Sequence, residues 1–139
     1  MKDYKTLAVG TAVDRGDLGS AIVRHFGVPD RHVYDSGDDI DYDDAFAVGY
    51  AEIFAKSDGD FPYFVSLYID KHKVGHDALV RAATKVGFPF VTDREDDRCE
   101  WWLYSEHAAR PDPTFRTVSA NDGSEIAYSE AVAAPSSPA

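Results

Sequence analysis

Two segments of this 139-residue chain end in the same way: a stretch patterned for a helix runs into glycine, and a proline follows two residues later. In the first, Leu18, Ala21, Ile22 and Phe26 fall at helical spacing. Asp14 or Asp17 stands ready to cap it, and Gly27 and Pro29 stop it. In the second, Leu79, Ala82, Ala83 and Val86 recur at i, i+3, i+4 and i+7, Lys85 sits in the last turn, and Gly87 and Pro89 end it. Each helix carries a single apolar stripe, so each must lie on another element. The sequence between and after them is β-rich, which predicts a sheet covered by two helices.

Strands are expected at Lys5 to Val13 (KTLAVGTAV) and at Tyr63 to Ile69 (YFVSLYI), the latter introduced by the turn residues SDGD and by Pro62. Phe90 to Thr92 and Cys99 to Ser105 (CEWWLYS) read as a further pair, with the charged DREDDR as their hairpin connection. A last hairpin is expected from FRTVS to EIAYSE, turning at Asn121, Asp122 and Gly123. The tail AVAAPSSPA has no core residues. The expected organisation is one α+β domain over residues 1–131 and a flexible tail over 132–139.

Ala45 to Lys56 (AFAVGYAEIFAK) fits two periods. At period two, Phe46, Val48, Tyr50 and Phe54 alternate with small residues, as in a strand paired with Tyr63–Ile69. At period 3.6, Phe46, Tyr50, Ile53 and Phe54 form a stripe, and the aspartates upstream favour a helix start. The strand is preferred. It yields a mainly antiparallel sheet with two helices packed on it, a ferredoxin-like βαββαβ order plus extra C-terminal strands. The helix alternative yields a Rossmann-like α/β domain.

With 25 acidic and 14 basic side chains, the formal net charge is −11. Such a field repels phosphates, so direct binding to nucleic acid or to an anionic membrane is not expected, and a basic partner is favoured. Cys99 is the only cysteine, which leaves no internal disulfide and no cysteine-based zinc site. The N-terminal apolar run is interrupted by Gly10 and followed by Asp14 and Arg15, too short for a secretory signal; a cytoplasmic location is expected.

No motif specifies a reaction, and no catalytic residue, metal or cofactor is expected. Placing Asp39, Asp41 and Asp43 at positions one, three and five of a calcium loop puts Asp44 where glycine belongs and Tyr50 where glutamate belongs. His72 and His76 are four apart but lack an evident third ligand. His25, His32 and His107 are isolated. Gly10, Gly16 and Gly19 do not match a phosphate-loop spacing, and Asp14 and Asp17 oppose a phosphate at the helix that follows. The alternative function is a small α/β enzyme or ligand-binding domain with a polar site around Asp70, His72 and His76.

The densest feature is DSGDDIDYDD, Asp35 to Asp44, in which six residues are aspartate. In an extended segment Asp39, Asp41 and Asp43 would share one face, with Ile40, Tyr42 and Asp44 on the other. Such a row of carboxylates suits the cations of a basic groove. Trp101 and Trp102 are adjacent on an expected strand and must point to opposite faces, so at most one lies wholly in a one-sided core. Exposed aromatics are frequent interface anchors, in a hetero-complex or a homodimer.

In size, charge and this aspartate run, the chain resembles bacterial immunity proteins of contact-dependent toxin systems. That resemblance implies one-to-one binding over the basic active-site groove of a cognate toxin, often a nuclease, with electrostatic steering. The expected partner-binding residues are Asp35, Asp38, Asp39, Asp41, Asp43 and Asp44 for charge. Tyr42 and one of Trp101 or Trp102 supply packing.

Overall fold

Strand β1 (Lys2–Val9) sits inside a seven-stranded sheet and organises the chain around it. The computed structural model describes residues 1–10, 13–55, 60–94, 100–119 and 125–129. After β1 come α1 (Arg15–Phe26), β2 (Val33–Asp35), α2 (Tyr42–Val48), β3 (Tyr50–Ala55) and β4 (Tyr63–Asp70). Then follow α3 (His76–Val86), β5 (Phe90–Asp93), β6 (Trp101–Tyr104), β7 (Ala109–Pro111), β8 (Arg116–Ser119) and β9 (Glu125–Tyr128). The sheet order is β2-β3-β4-β1-β5-β6-β7, and β8 and β9 form a separate hairpin. Within the large sheet β2 and β3 are parallel and the other described pairs are antiparallel. The architecture is α+β rather than Rossmann-like.

The two punctuated helices form as their sequences require. Asp14 caps α1 by accepting from the backbone N–H groups of Gly16 (3.0 Å) and Asp17 (3.3 Å). Gly27 ends α1 in the left-handed region at φ 72°, and Gly87 ends α3 in the same way at φ 81°. The first strand starts earlier than expected, at Lys2, and ends at Val9. The cause is β4, which offers an unbroken antiparallel register from Lys2↔Asp70 to Val9↔Tyr63.

Strand alternation gives the sheet two faces with different covers. One carries Leu7, Val9, Ala51, Ile53, Val65, Leu67 and Ile69, packed with Leu18, Ile22 and Phe26 of α1 and Leu79, Ala82 and Ala83 of α3. On the other, Ala8, Val91 and Leu103 pack with Phe61, and with Phe115 and Ala127 at the β8–β9 hairpin. Buried Asp112 ties that hairpin down, accepting from the Thr114 hydroxyl (2.6 Å) and from the Ser129 hydroxyl. The second face is also covered by α2, at its β3–β4 end, through Tyr42 and Phe46 against Tyr50 and Phe46 against Tyr68.

Among the described residues three α-helices form rather than the expected two, because Ala45 to Ala55 is neither a whole strand nor a whole helix. Asp41 caps α2, Asp43 and Asp44 occupy its electropositive first turn, and the helix runs to Val48. Gly49, at φ 99°, breaks it, and the period-two half becomes β3, pairing Tyr50↔Tyr68 through Ala55↔Tyr63. Lys56 lies outside the described residues, as do Cys99, most of DREDDR, the Asn121–Gly123 turn and the tail. The strands flanking that turn pair as expected, from Arg116↔Tyr128 to Ser119↔Glu125. Among the described residues no helix is long and apolar enough to cross a membrane.

Candidate acidic-aromatic surface

The acidic run does not form the extended row that its alternation suggests. Asp41 leaves that row to cap α2, and Asp43 and Asp44 are helical. Most of its carboxylates already have local partners. Asp35 accepts from Arg15 Nε at 2.6 Å, and Asp38 Oδ2 accepts from the Asp35 backbone N–H at 2.8 Å. Asp41 Oδ1 accepts from the Asp44 backbone N–H at 3.4 Å. Asp44 Oδ2 lies 2.7 Å from His32 Nε2 and 3.3 Å from Arg31 Nη2. The His32 bond is the main reason that the Asp44 carboxyl titrates below its ordinary value. Asp39 and Asp43 remain exposed, and their side chains have no ion-pair or hydrogen-bond partner among the described residues.

Asp43 follows Tyr42 directly and Asp39 precedes it by three residues, and Tyr42 belongs to an aromatic surface. Because α2 is helical, Tyr42 and Phe46 stand one turn apart and stack at 5.6 Å. Phe46 meets Tyr68 edge-on at 5.2 Å, and Tyr68 lies 4.7 Å from Tyr4. The register explains the continuity: Tyr4 pairs with Tyr68 and Tyr68 with Tyr50, a row of tyrosines across three strands. Tyr50 closes the row from beneath, 3.2 Å from the Tyr4 hydroxyl. Burial first, and then that hydrogen bond, raises its phenol above the ordinary range. By contrast Tyr4 is 52% exposed, Tyr42 50%, Phe46 44% and Val48 42%. Exposed apolar residues scattered singly are ordinary, whereas Tyr4, Tyr42 and Phe46 are linked through Tyr68 and Tyr50. Glu52 stands two residues from Tyr50 on the same sheet face, with no side-chain partner among the described residues.

The tryptophans divide between the faces, as adjacent strand residues must. Trp102 lies on the helical side, 5.2 Å from His76 and beneath the Arg94 guanidinium at 4.4 Å. Trp101 lies on the opposite side, 4.9 Å from Phe115. Both are half-buried. Trp101 lines a groove of about 610 Å³ with Tyr4, Phe54, Phe64 and Phe115. Through Tyr4, that groove continues the aromatic surface of α2 toward the β8–β9 hairpin. Tyr50 and Trp101 are separated by four strand spacings, about 19 Å. The surface therefore takes Trp101 and leaves Trp102 out.

Asp70, His72 and His76 do not converge. Asp70 faces the N-terminal ammonium at 3.8 Å. His72 is exposed on the 3₁₀ turn Lys71–Lys73, whereas His76 begins α3, so no single helix aligns them. Arg94 Nη1 donates toward His76 Nε2 at 3.4 Å, which leaves Nδ1–H to donate to the Tyr104 hydroxyl at 2.8 Å. Among the described residues no three His, Cys, Asp or Glu side chains are grouped to hold a metal ion.

The sequence points to Tyr42 and the aspartates; the aromatic surface also takes in Tyr4, Phe46 and Tyr68, and Glu52 lies on the same sheet face as Tyr50, none of which it singles out as a site residue. The only local signal was Tyr42–Phe46 at i, i+4. Comparison with known proteins finds no matching family model, no matching curated protein and no matching solved structure.

Proposed function

We propose that this chain binds and neutralises a basic protein, docking it on the sheet face that carries α2, and that the partner is a toxin nuclease held as immunity proteins hold theirs. One observation carries this reading: exposed Tyr4, Tyr42 and Phe46 are joined through Tyr68 into a continuous surface, and Asp39, Asp43 and Glu52, near Tyr42 in sequence or on the Tyr50 side of the sheet, have no side-chain partner among the described residues. Aromatic area supplies packing energy, and unpaired rim carboxylates supply steering and select for cations. The net charge of −11 adds long-range attraction. Asp35, Asp38, Asp41 and Asp44 act chiefly by shaping the run. A cytoplasmic location goes with this role. We also read β3-β4-β1-β5, with α1 and α3 as crossovers, as a ferredoxin-like unit carrying β2 and α2 as an insertion.

The test uses the tagged chain as bait in its own cells, beside the variant Asp39→Asn/Asp43→Asn/Phe46→Ala. The expected result is a basic protein retained by the wild type, released by moderate salt and absent from the variant. Its nuclease activity should fall when the wild-type chain is added. A partner retained equally by both baits, or one that is acidic, overturns the assignment of this surface.

A further inference from the structure

The opposite side of the molecule carries a second charged feature, independent of the docking surface. Where the C-terminal end of α1 meets α3 and the Lys71–Lys73 turn, a groove of about 410 Å³ is lined by Arg24, His25, His72, Lys73, Arg81 and Lys85, and by no acidic side chain. In a chain where acidic residues outnumber Lys and Arg 25 to 14, that composition is unexpected.

Pairing separates these cations from several others. Lys5, Arg15, Arg31 and Lys71 each face a carboxylate: Asp93, Asp35, Asp44 and Asp3. Among the described residues, the side chains of Arg24, Lys73, Arg81 and Lys85 have neither an ion pair nor a hydrogen bond. Asp17 lines the adjoining groove, where the seam continues toward Phe88, and Asp77 stands one turn before Arg81 on α3 without lining the groove. His25 registers the field: partial burial first, then Arg24 and Lys85, lowers its pKa below the ordinary value.

Helix ends explain part of the cluster. Arg24 and His25 are in the last turn of α1, Lys85 is in the last turn of α3, and cations there offset the helix dipole. Lys73 belongs with them, since a Cβ on the capping Gly27 would stand 2.8 Å from its Nζ. Arg81 lies before the last turn of α3, and His72 is outside both helices. Dipole compensation accounts for neither.

We propose that this groove binds a small, multiply charged phosphate anion of the pyrophosphate type. Two guanidinium forks match phosphate oxygens, and two ammonium groups add point charge around them. A compact anion gains these contacts without laying an extended backbone along a chain of net charge −11, as a nucleic acid would have to.

The test is calorimetric titration of the full chain with pyrophosphate at fixed ionic strength, with inorganic phosphate and a short single-stranded oligonucleotide as further arms. Saturable one-to-one binding is expected, tighter for pyrophosphate than for phosphate. Arg24→Gln/Arg81→Gln should weaken it by about tenfold or more, circular dichroism showing that the variant stays folded. Lys2→Gln, on β1 outside the groove, should bind as the wild type does. Absence of saturable binding, wild-type affinity in the double variant, an equal loss in Lys2→Gln, or tighter binding of the oligonucleotide overturns the proposal.

Discussion

His32 Nε2 and Asp44 Oδ2 lie 2.7 Å apart and join the turn before β2 to the first turn of α2. The imidazole is buried, at 2% exposure, and its Nδ1 contacts the Tyr34 hydroxyl at 2.7 Å. A carboxylate accepts, so in the neutral ring Nε2–H donates to Asp44 and Nδ1 accepts from Tyr34. The last aspartate of the acidic run is thus an anchor. It holds α2 where Tyr42 and Phe46 can lie against the tyrosine row.

That anchor makes stability depend on acid in a defined direction. The His32 hydrogen bond, ahead of Arg31, lowers the Asp44 carboxyl below its ordinary 3.8. A depressed carboxyl stabilises the fold above its unfolded pKa, and this contribution is lost as pH falls through the lower folded value. In urea unfolding, Asp44→Asn should have a lower midpoint than the wild type at pH 7 and a shallower decline below about pH 4. Identical midpoints and identical acid limbs would show that the bond does not hold α2.

Gly49 permits the switch from α2 to β3, and substitution there should be costly for two reasons. Its φ of 99° disfavours any side chain, and a Cβ would stand 3.0 Å from the Tyr68 backbone oxygen. Gly37, at φ 95°, has the first penalty alone, with nothing within 4 Å of an added Cβ. Gly37→Ala should cost about 1 kcal/mol and Gly49→Ala about 1–3 kcal/mol, with the larger loss at Gly49. Equal losses in denaturant unfolding would remove the contact with Tyr68 from the account.

Local signals made α1 and α3 legible: caps, glycine stops and an apolar stripe are properties of a dozen adjacent residues. Tyr63–Ile69 and the last hairpin were legible for the same reason. The short β2 and α2 were not, because tertiary pairing rather than periodicity defines them, and Gly49 changes the period within one apolar run. The candidate surface was only half visible. Asp39, Tyr42 and Asp43 are neighbours in sequence, but Tyr4, Tyr68 and Tyr50 come from three strands and meet only through register. The cations from Arg24 to Lys85 are likewise scattered in sequence and gathered by the packing of α1 against α3.

On the proposed reading, carboxylates and aromatics of the α2 face share the capture of a basic partner, and rapid-mixing kinetics with the isolated partner separate their roles. Asp39→Asn/Asp43→Asn should slow association at low salt by about tenfold, with the difference shrinking as salt is added. Tyr42→Ala/Phe46→Ala should alter association little and speed dissociation by about tenfold or more. Unchanged rates in both double variants, each folded like the wild type, would exclude the α2 face from the interface.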